Sequence, residues 1–123
     1  MKKKILLVDD DEAFLKVLTN RLAKGFEIEA ARDGQECIDK AIAWNPDLVI
    51  LDIMLGRENG PEVYDRLLRH GFNRSVPILF LSTLVEDAFP PKLYPGRKTA
   101  LLSKYFSAED LSSNIEVLIG RQD

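Results

Sequence analysis

Leu48-Val49-Ile50-Leu51-Asp52 is the stretch that decides the fold. Four apolar residues in a row, with no polar alternation, mark a strand buried on both faces. Such strands belong to parallel sheets that helices cover on both sides. The aspartate follows at once. Open α/β sheets bind ligands beyond the C-terminal ends of their strands, so an acid there stands where chemistry is expected.

Working outward, the same signal recurs along the chain. Residues 5–8 read as a buried strand running into Asp9 and Asp10, and residues 27–31 as a weaker strand. Residues 77–81 read as a strand ending at Ser82, and residues 100–102 as a short one ending near Lys104. Amphipathic segments lie between them. Residues 12–24 predict a helix with Phe14, Val17, Leu18 and Leu22 inward and Gly25 as its stop. Asp33 and Glu36 have the spacing of a capping box, and Ile38, Ala41 and Ile42 face inward in the helix they open. Asn45-Pro46 closes it. Gly60-Pro61 opens a third helix carrying Val63, Leu67 and Leu68, with Gly71 beyond its end. Ser107 caps a last helix carrying Leu111, Ile115 and Leu118, and Gly120 ends it. A further helix is due between residues 84 and 96, but Pro90, Pro91 and Pro95 crowd it. Proline inside a helix costs about 3 kcal/mol. At most one turn near residues 85–88 is expected there, then irregular chain.

The strands alternate with helices over residues 1–123, the length of one domain. Hydrophobic residues make up 46% and charged residues 30%, with a formal net charge of −3. That balance disfavours nucleic acid or an anionic membrane as a main partner. Lys2-Lys3-Lys4 precedes an apolar run that Asp9 stops, too short for a signal sequence or a membrane span. One cysteine forms no internal disulfide, which points to the cytoplasm, and with one histidine it leaves no credible zinc site.

The polar residues at the strand ends carry the chemistry. Asp9, Asp10 and Asp52 gathered at one rim repel one another, and a hard cation resolves the repulsion. All-oxygen ligation with few protein ligands suits Mg²⁺. A carboxylate can also be the nucleophile that accepts a phosphoryl group. Phosphoryl transfer asks for positioning and charge neutralisation, which Lys104, the Ser82 hydroxyl and backbone amides after Asp52 and near Thr83 are placed to supply.

Val8-Asp9-Asp10-Asp11-Glu12, Asp52-Ile53-Met54-Leu55 reaching Gly60, Ser82-Thr83 and Lys104 together resemble the receiver domain of bacterial two-component response regulators. The resemblance covers nearly the whole chain, in order. It implies a doubly wound five-stranded parallel sheet of flavodoxin-like order 2-1-3-4-5, here with an irregular or shortened fourth helix. It implies that Asp52 is the phosphoacceptor, and that Asp9, Asp10, Asp52 and the Met54 carbonyl hold Mg²⁺. Lys104 then bridges to the phosphoryl group, and Ser82 follows it inward when the domain switches. The implied donor is a histidine kinase, a phosphotransfer protein or a small acyl phosphate. The reader is a downstream protein effector. Such a phosphoacceptor takes part in its own phosphorylation and dephosphorylation and is not a metabolic enzyme.

The chain departs from the family pattern at three positions. Tyr105 follows Lys104 where proline is usual, so a trans peptide or a strained cis one is expected. Leu101 stands where a switch aromatic is common, and Gly56 where proline is. These departures, with the proline-rich segment, motivate an alternative: a receiver-like interaction module that works without phosphorylation. A haloacid dehalogenase type of phosphatase wants an acid where Met54 stands, and no glycine-rich phosphate loop follows the first strand. Asp10 or Asp11 doubles as a helix cap in this reading. His70 suits the dipole at a helix end, Cys37 packs as a small apolar residue, and Trp44 covers the end of the second helix. Phe89, Leu93 and Tyr94 are expected to pack within an irregular loop.

Overall fold

Apolar strands without a polar face need cover on both sides, and the chain supplies it by alternation. The computed structural model describes residues 2–83 and 98–120. In order these form β1 (Lys4–Val8), α1 (Glu12–Leu22), β2 (Glu27–Ala31), α2 (Gly34–Trp44) and β3 (Leu48–Asp52). Then come β4 (Met54–Leu55), β5 (Glu58–Asn59), α3 (Gly60–Arg69), β6 (Ile78–Ser82), β7 (Thr99–Ser103) and α4 (Ala108–Ile119). Five strands form one sheet in the order β2-β1-β3-β6-β7, every pair parallel. Counting only these strands, that is the expected order 2-1-3-4-5. The expected fourth helix, its prolines, and Phe89, Leu93 and Tyr94 lie outside the described residues.

The two-residue period of the strands divides the core between the faces. Leu6 and Val8, Val49 and Leu51, and Ile78 and Phe80 join Cys37, Ile38, Val63, Tyr64 and Leu67 from α2 and α3. Ile5 and Leu7, Leu48 and Ile50, and Leu79 and Leu81 join Leu15, Leu18, Leu111 and Ile115 from α1 and α4. Cys37 is fully buried, and burial pushes its thiol up to about 12, so it packs as an apolar residue.

Two inward assignments are corrected. The buried stripe of α1 is Leu15, Leu18 and Leu22, which leaves Val17 59% exposed. On α2 it is Gly34, Cys37, Ile38 and Ala41, with Ile42 41% exposed. A helix lying on a sheet buries a narrow stripe, so residues flanking it face water. The capping box is also modified: Asp33 accepts from the Glu36 amide at 2.8 Å, but Glu36 accepts from the Arg32 amide instead of the cap's own. α1, expected to run to residue 24 with Gly25 as its stop, ends at Leu22, two residues earlier. β4 and β5 form an antiparallel ribbon that the sequence did not announce. Gly56, at φ 61°, makes its turn, a conformation most side chains resist.

The edge of the sheet where strands begin is closed by three consecutive lysines. Helices run back across a parallel sheet, so their C-termini gather there. Lys2 Nζ donates to the Ala23 carbonyl at 3.1 Å, past the end of α1. Lys3 Nζ donates to Ile119 at the end of α4. Lys4 Nζ donates to the Trp44 carbonyl at 2.7 Å at the end of α2 and lies 5.4 Å from the Trp44 ring centroid. Each ammonium meets a carbonyl at the negative end of a helix. Replacing Lys4 by Met keeps the aliphatic stem and removes the charge. Chemical denaturation of Lys4→Met is expected to show a loss of about 1 kcal/mol at low salt. An unchanged midpoint contradicts this account of the lysine edge.

Candidate functional site

At the opposite edge, register brings the acids together. Val8 pairs with Leu51, so the next residues, Asp9 and Asp52, stand side by side at the ends of adjacent strands. Asp9 continues the alternation of Ile5 and Leu7, and Asp52 that of Leu48 and Ile50, so both belong to the α1–α4 side. Ala100 and Leu102 of β7 pack on that side as well, and Lys104 follows two residues later. The Lys104 amide donates to the Ser82 carbonyl at 2.7 Å, which fixes where its side chain starts.

Lys104 Nζ lies 2.8 Å from Asp9 Oδ2 and 3.1 Å from Asp52 Oδ2. Asp9 and Asp52 are buried, while Asp10 is exposed. The contact to Asp52 is an aligned hydrogen bond. The contact to Asp9 is a charge contact without such alignment, for Asp9 Oδ2 is buried with no hydrogen-bond partner among the described residues. The other Asp9 oxygen accepts from the Asp11 amide at 2.9 Å, and Asp52 Oδ1 accepts from the Met54 amide at 3.1 Å. Burial holds the Asp9 carboxyl above its ordinary value; Asp52 adds to this, and Lys104 and the Asp11 amide oppose it. Burial works to lower the Lys104 ammonium, but its close contacts with the Asp9 and Asp52 carboxylates outweigh that and raise it.

Asp9, Asp10 and Asp52 each offer a carboxylate oxygen, and these oxygens lie within 4.8 Å of one another. Three carboxylates against one ammonium leave two negative charges unbalanced. An all-oxygen set with that deficit, open to solvent through Asp10 and holding an unbonded buried oxygen, fits a hard divalent ion such as Mg²⁺.

The remaining expected residues take varied places. Asp11, not Asp10, caps α1, accepting from the Ala13 and Phe14 amides. Ser82 is 2% exposed at the end of β6, and Thr83 is exposed. The Met54 side chain is exposed, while its backbone lies in β4 beside the site. The Lys104–Tyr105 peptide is trans, since the described residues contain no cis peptide, and Tyr105 is 81% exposed. Leu101 stands at the surface of β7. His70 follows α3 as its C-cap, and its Nδ1 lies 2.8 Å from the Arg66 carbonyl. Gly60 opens α3 against the end of β3, and a Cβ there meets the Asp52 carbonyl at 2.9 Å. The close approach explains why glycine ends the loop after Asp52.

Two features escaped the sequence reading. Phe14 lies under Lys104, its ring centroid 4.6 Å from Nζ. Arg66 of α3 pairs with Glu58 of β5 and bonds Gln35 of α2 at 2.9 Å, tying the ribbon after Asp52 to both helices. Charge pairing across elements leaves no local spacing signal. A half-buried aromatic on α1 reads as core from periodicity alone.

The sequence profile of the response regulator receiver domain matches residues 5–116. The chain is 31% identical to the alkaline phosphatase synthesis transcriptional regulatory protein PhoP of Bacillus subtilis, over 100% of this chain and 51% of that protein. It is 33% identical to the response regulator MprA of Mycolicibacterium vanbaalenii, over 98% of this chain and 52% of that protein. The chain thus spans about half the length of these curated relatives. The solved structure of Vibrio cholerae chemotaxis protein CheY4 superposes with a TM-score of 0.84 at 27% identity, covering 96% of this chain and 99% of that one.

The buried charge at Asp9 has a consequence for stability. A raised carboxyl pKa means the folded state binds that proton more tightly than the unfolded state. The ionised form therefore opposes folding as pH rises above the ordinary carboxylate value. In EDTA at about pH 7, Asp9→Asn is expected to unfold a few degrees higher than the parent chain. The gain shrinks as pH falls toward about 4, where Asp9 of the parent is increasingly protonated. A lower unfolding temperature for the variant at neutral pH contradicts this.

Proposed function

The chain belongs to the response regulator receiver domain family, and from that premise we propose that it is a phosphoacceptor switch with Asp52 as the acceptor. The observation that carries the reading is the buried Asp52 carboxylate at the sheet rim, hydrogen-bonded to Lys104 and flanked by Asp9 and Asp10.

In this reading a carboxylate oxygen of Asp52 attacks the phosphorus of a phosphohistidine on a histidine kinase or phosphotransfer protein. The P–N bond breaks, and its electron pair returns to the imidazole nitrogen. With a small acyl phosphate as donor, the acyl oxygen leaves instead. Lys104 moves from sharing two carboxylates to bonding a phosphoryl oxygen, a stronger anionic partner. The Ser82 hydroxyl, buried at the neighbouring strand end, donates to another as the domain switches. Asp9, Asp10, Asp52 and the Met54 carbonyl are the residues to hold Mg²⁺, which when bound neutralises charge on the phosphoryl oxygens. Water at the same phosphorus reverses the modification, so the domain limits its own signal without being a metabolic enzyme. The reading sets the domain in the cytoplasm, with an effector protein as its reader. No helix among the described residues is long and apolar enough to cross a membrane.

The added charge and acceptor oxygens shift a two-state equilibrium of the surrounding loops. Incubation with acetyl phosphate and Mg²⁺, followed by intact mass, is expected to show one added phosphoryl group. Asp52→Asn abolishes it, and chelation of Mg²⁺ suppresses it. An adduct that persists in Asp52→Asn sinks the assignment.

A further inference from the structure

Lys104 has a third neighbour besides its two carboxylates. The Phe14 ring lies beneath the ammonium, 4.6 Å from Nζ to centroid, within cation–π range. The Lys104 side chain is 14% exposed, so this attraction is little weakened by water. Phe106 meets Phe14 edge to face, with centroids 6.3 Å apart and planes at 69°. Phe106 comes two residues after Lys104 and directly before Ser107, the N-cap of α4.

The pair is anchored to the acids as well. The Phe14 amide donates to Asp11 Oδ1 at 3.2 Å, and the Asp11 amide donates to Asp9 Oδ1 at 2.9 Å. Asp9, Asp11, Phe14 and Lys104 thus close a ring of contacts around one ammonium. We propose that Phe14 is a positioning residue for Lys104, and that the Phe14–Phe106 pair carries the state of Asp52 to the turn that starts α4. The proposal rests on the phosphoacceptor reading. A phosphoryl group on Asp52 draws the ammonium outward, off the ring face, because it offers more charge than the carboxylates do. The ring then loses its cation, and its edge contact with Phe106 relaxes. Leu101 has no ring to offer at the surface of β7, whereas this aromatic pair sits on the side where Lys104, Asp9 and Asp52 converge.

The test uses beryllofluoride with Mg²⁺ as a phosphoryl mimic and amide NMR spectra of the full chain. In the parent chain the Phe106 and Ser107 amides are expected to move on addition. In Phe14→Leu their displacement falls below half, while the Ile53 and Ser82 amides still respond. Beryllofluoride affinity rises about two- to five-fold, the range of a modest cation–π contact, because the variant has no such contact to give up when the mimic binds. Phe14→Tyr, which keeps the ring, restores both. A merely structural role instead disturbs amides throughout α1 and is not rescued by ring chemistry. If Phe14→Leu fails to fold, Phe106→Leu carries the same test, read at Ser107. Displacements at residues 106 and 107 that match the parent in the leucine variant overturn this proposal alone. Absence of any beryllofluoride response in the parent chain overturns it together with the phosphoacceptor reading.

Discussion

One ammonium shared by two buried carboxylates is the constraint on which the rest of this structure depends. Asp9 and Asp52 are forced together by strand register, with Val8 opposite Leu51. Like charges within 4.8 Å repel by roughly 3–4 kcal/mol at the effective dielectric of a protein. Lys104 answers that repulsion from two strands away, since β6 lies between β3 and β7. It answers only part of it, because Asp10 completes a set of three acids. The imbalance is the useful property. It leaves the rim short of positive charge and disposed to accept a cation, and it leaves Lys104 free to exchange one anionic partner for another.

The two edges of the sheet divide the labour. Where the strands begin, Lys2, Lys3 and Lys4 close the C-termini of α1, α4 and α2, so charge there meets its complement at once. Where the strands end, charge is held against its preference, as the raised Asp9 carboxyl shows. Stability concentrated at one edge offsets strain at the other, a common arrangement around sites that must react. Glu58, Arg66 and Gln35 extend the same logic sideways. They brace the ribbon after Asp52, so the Met54 amide is held where it bonds the Asp52 carboxylate.

The sheet was legible because its central strands β1, β3 and β6 are almost wholly apolar and run into polar residues, whereas β2, with Glu27 and Glu29, reads more weakly. Leu48 to Asp52 alone separated a parallel sheet from a half-exposed one. The acids, Ser82 and Lys104 were legible for the same reason, since topology puts strand ends on one rim. Val17 and Ile42 misled because helical periodicity gives the direction of an apolar face but not its width. The ribbon of β4 and β5 is two residues per strand, too short for any pattern to declare itself. Phe14 was read as core, and it is partly that; its second role under Lys104 depends on a neighbour ninety residues away in the chain.

The central claim is that this rim makes Asp52, and no other carboxylate, the acceptor. Borohydride reduces an acyl phosphate to an alcohol and leaves free carboxylates untouched, so it records which residue was modified. After treatment with acetyl phosphate and Mg²⁺, reduction and peptide sequencing by mass spectrometry, homoserine is expected in place of Asp52. Homoserine at Asp9 or Asp10, or at no aspartate while the intact protein carries a phosphoryl group, contradicts the account.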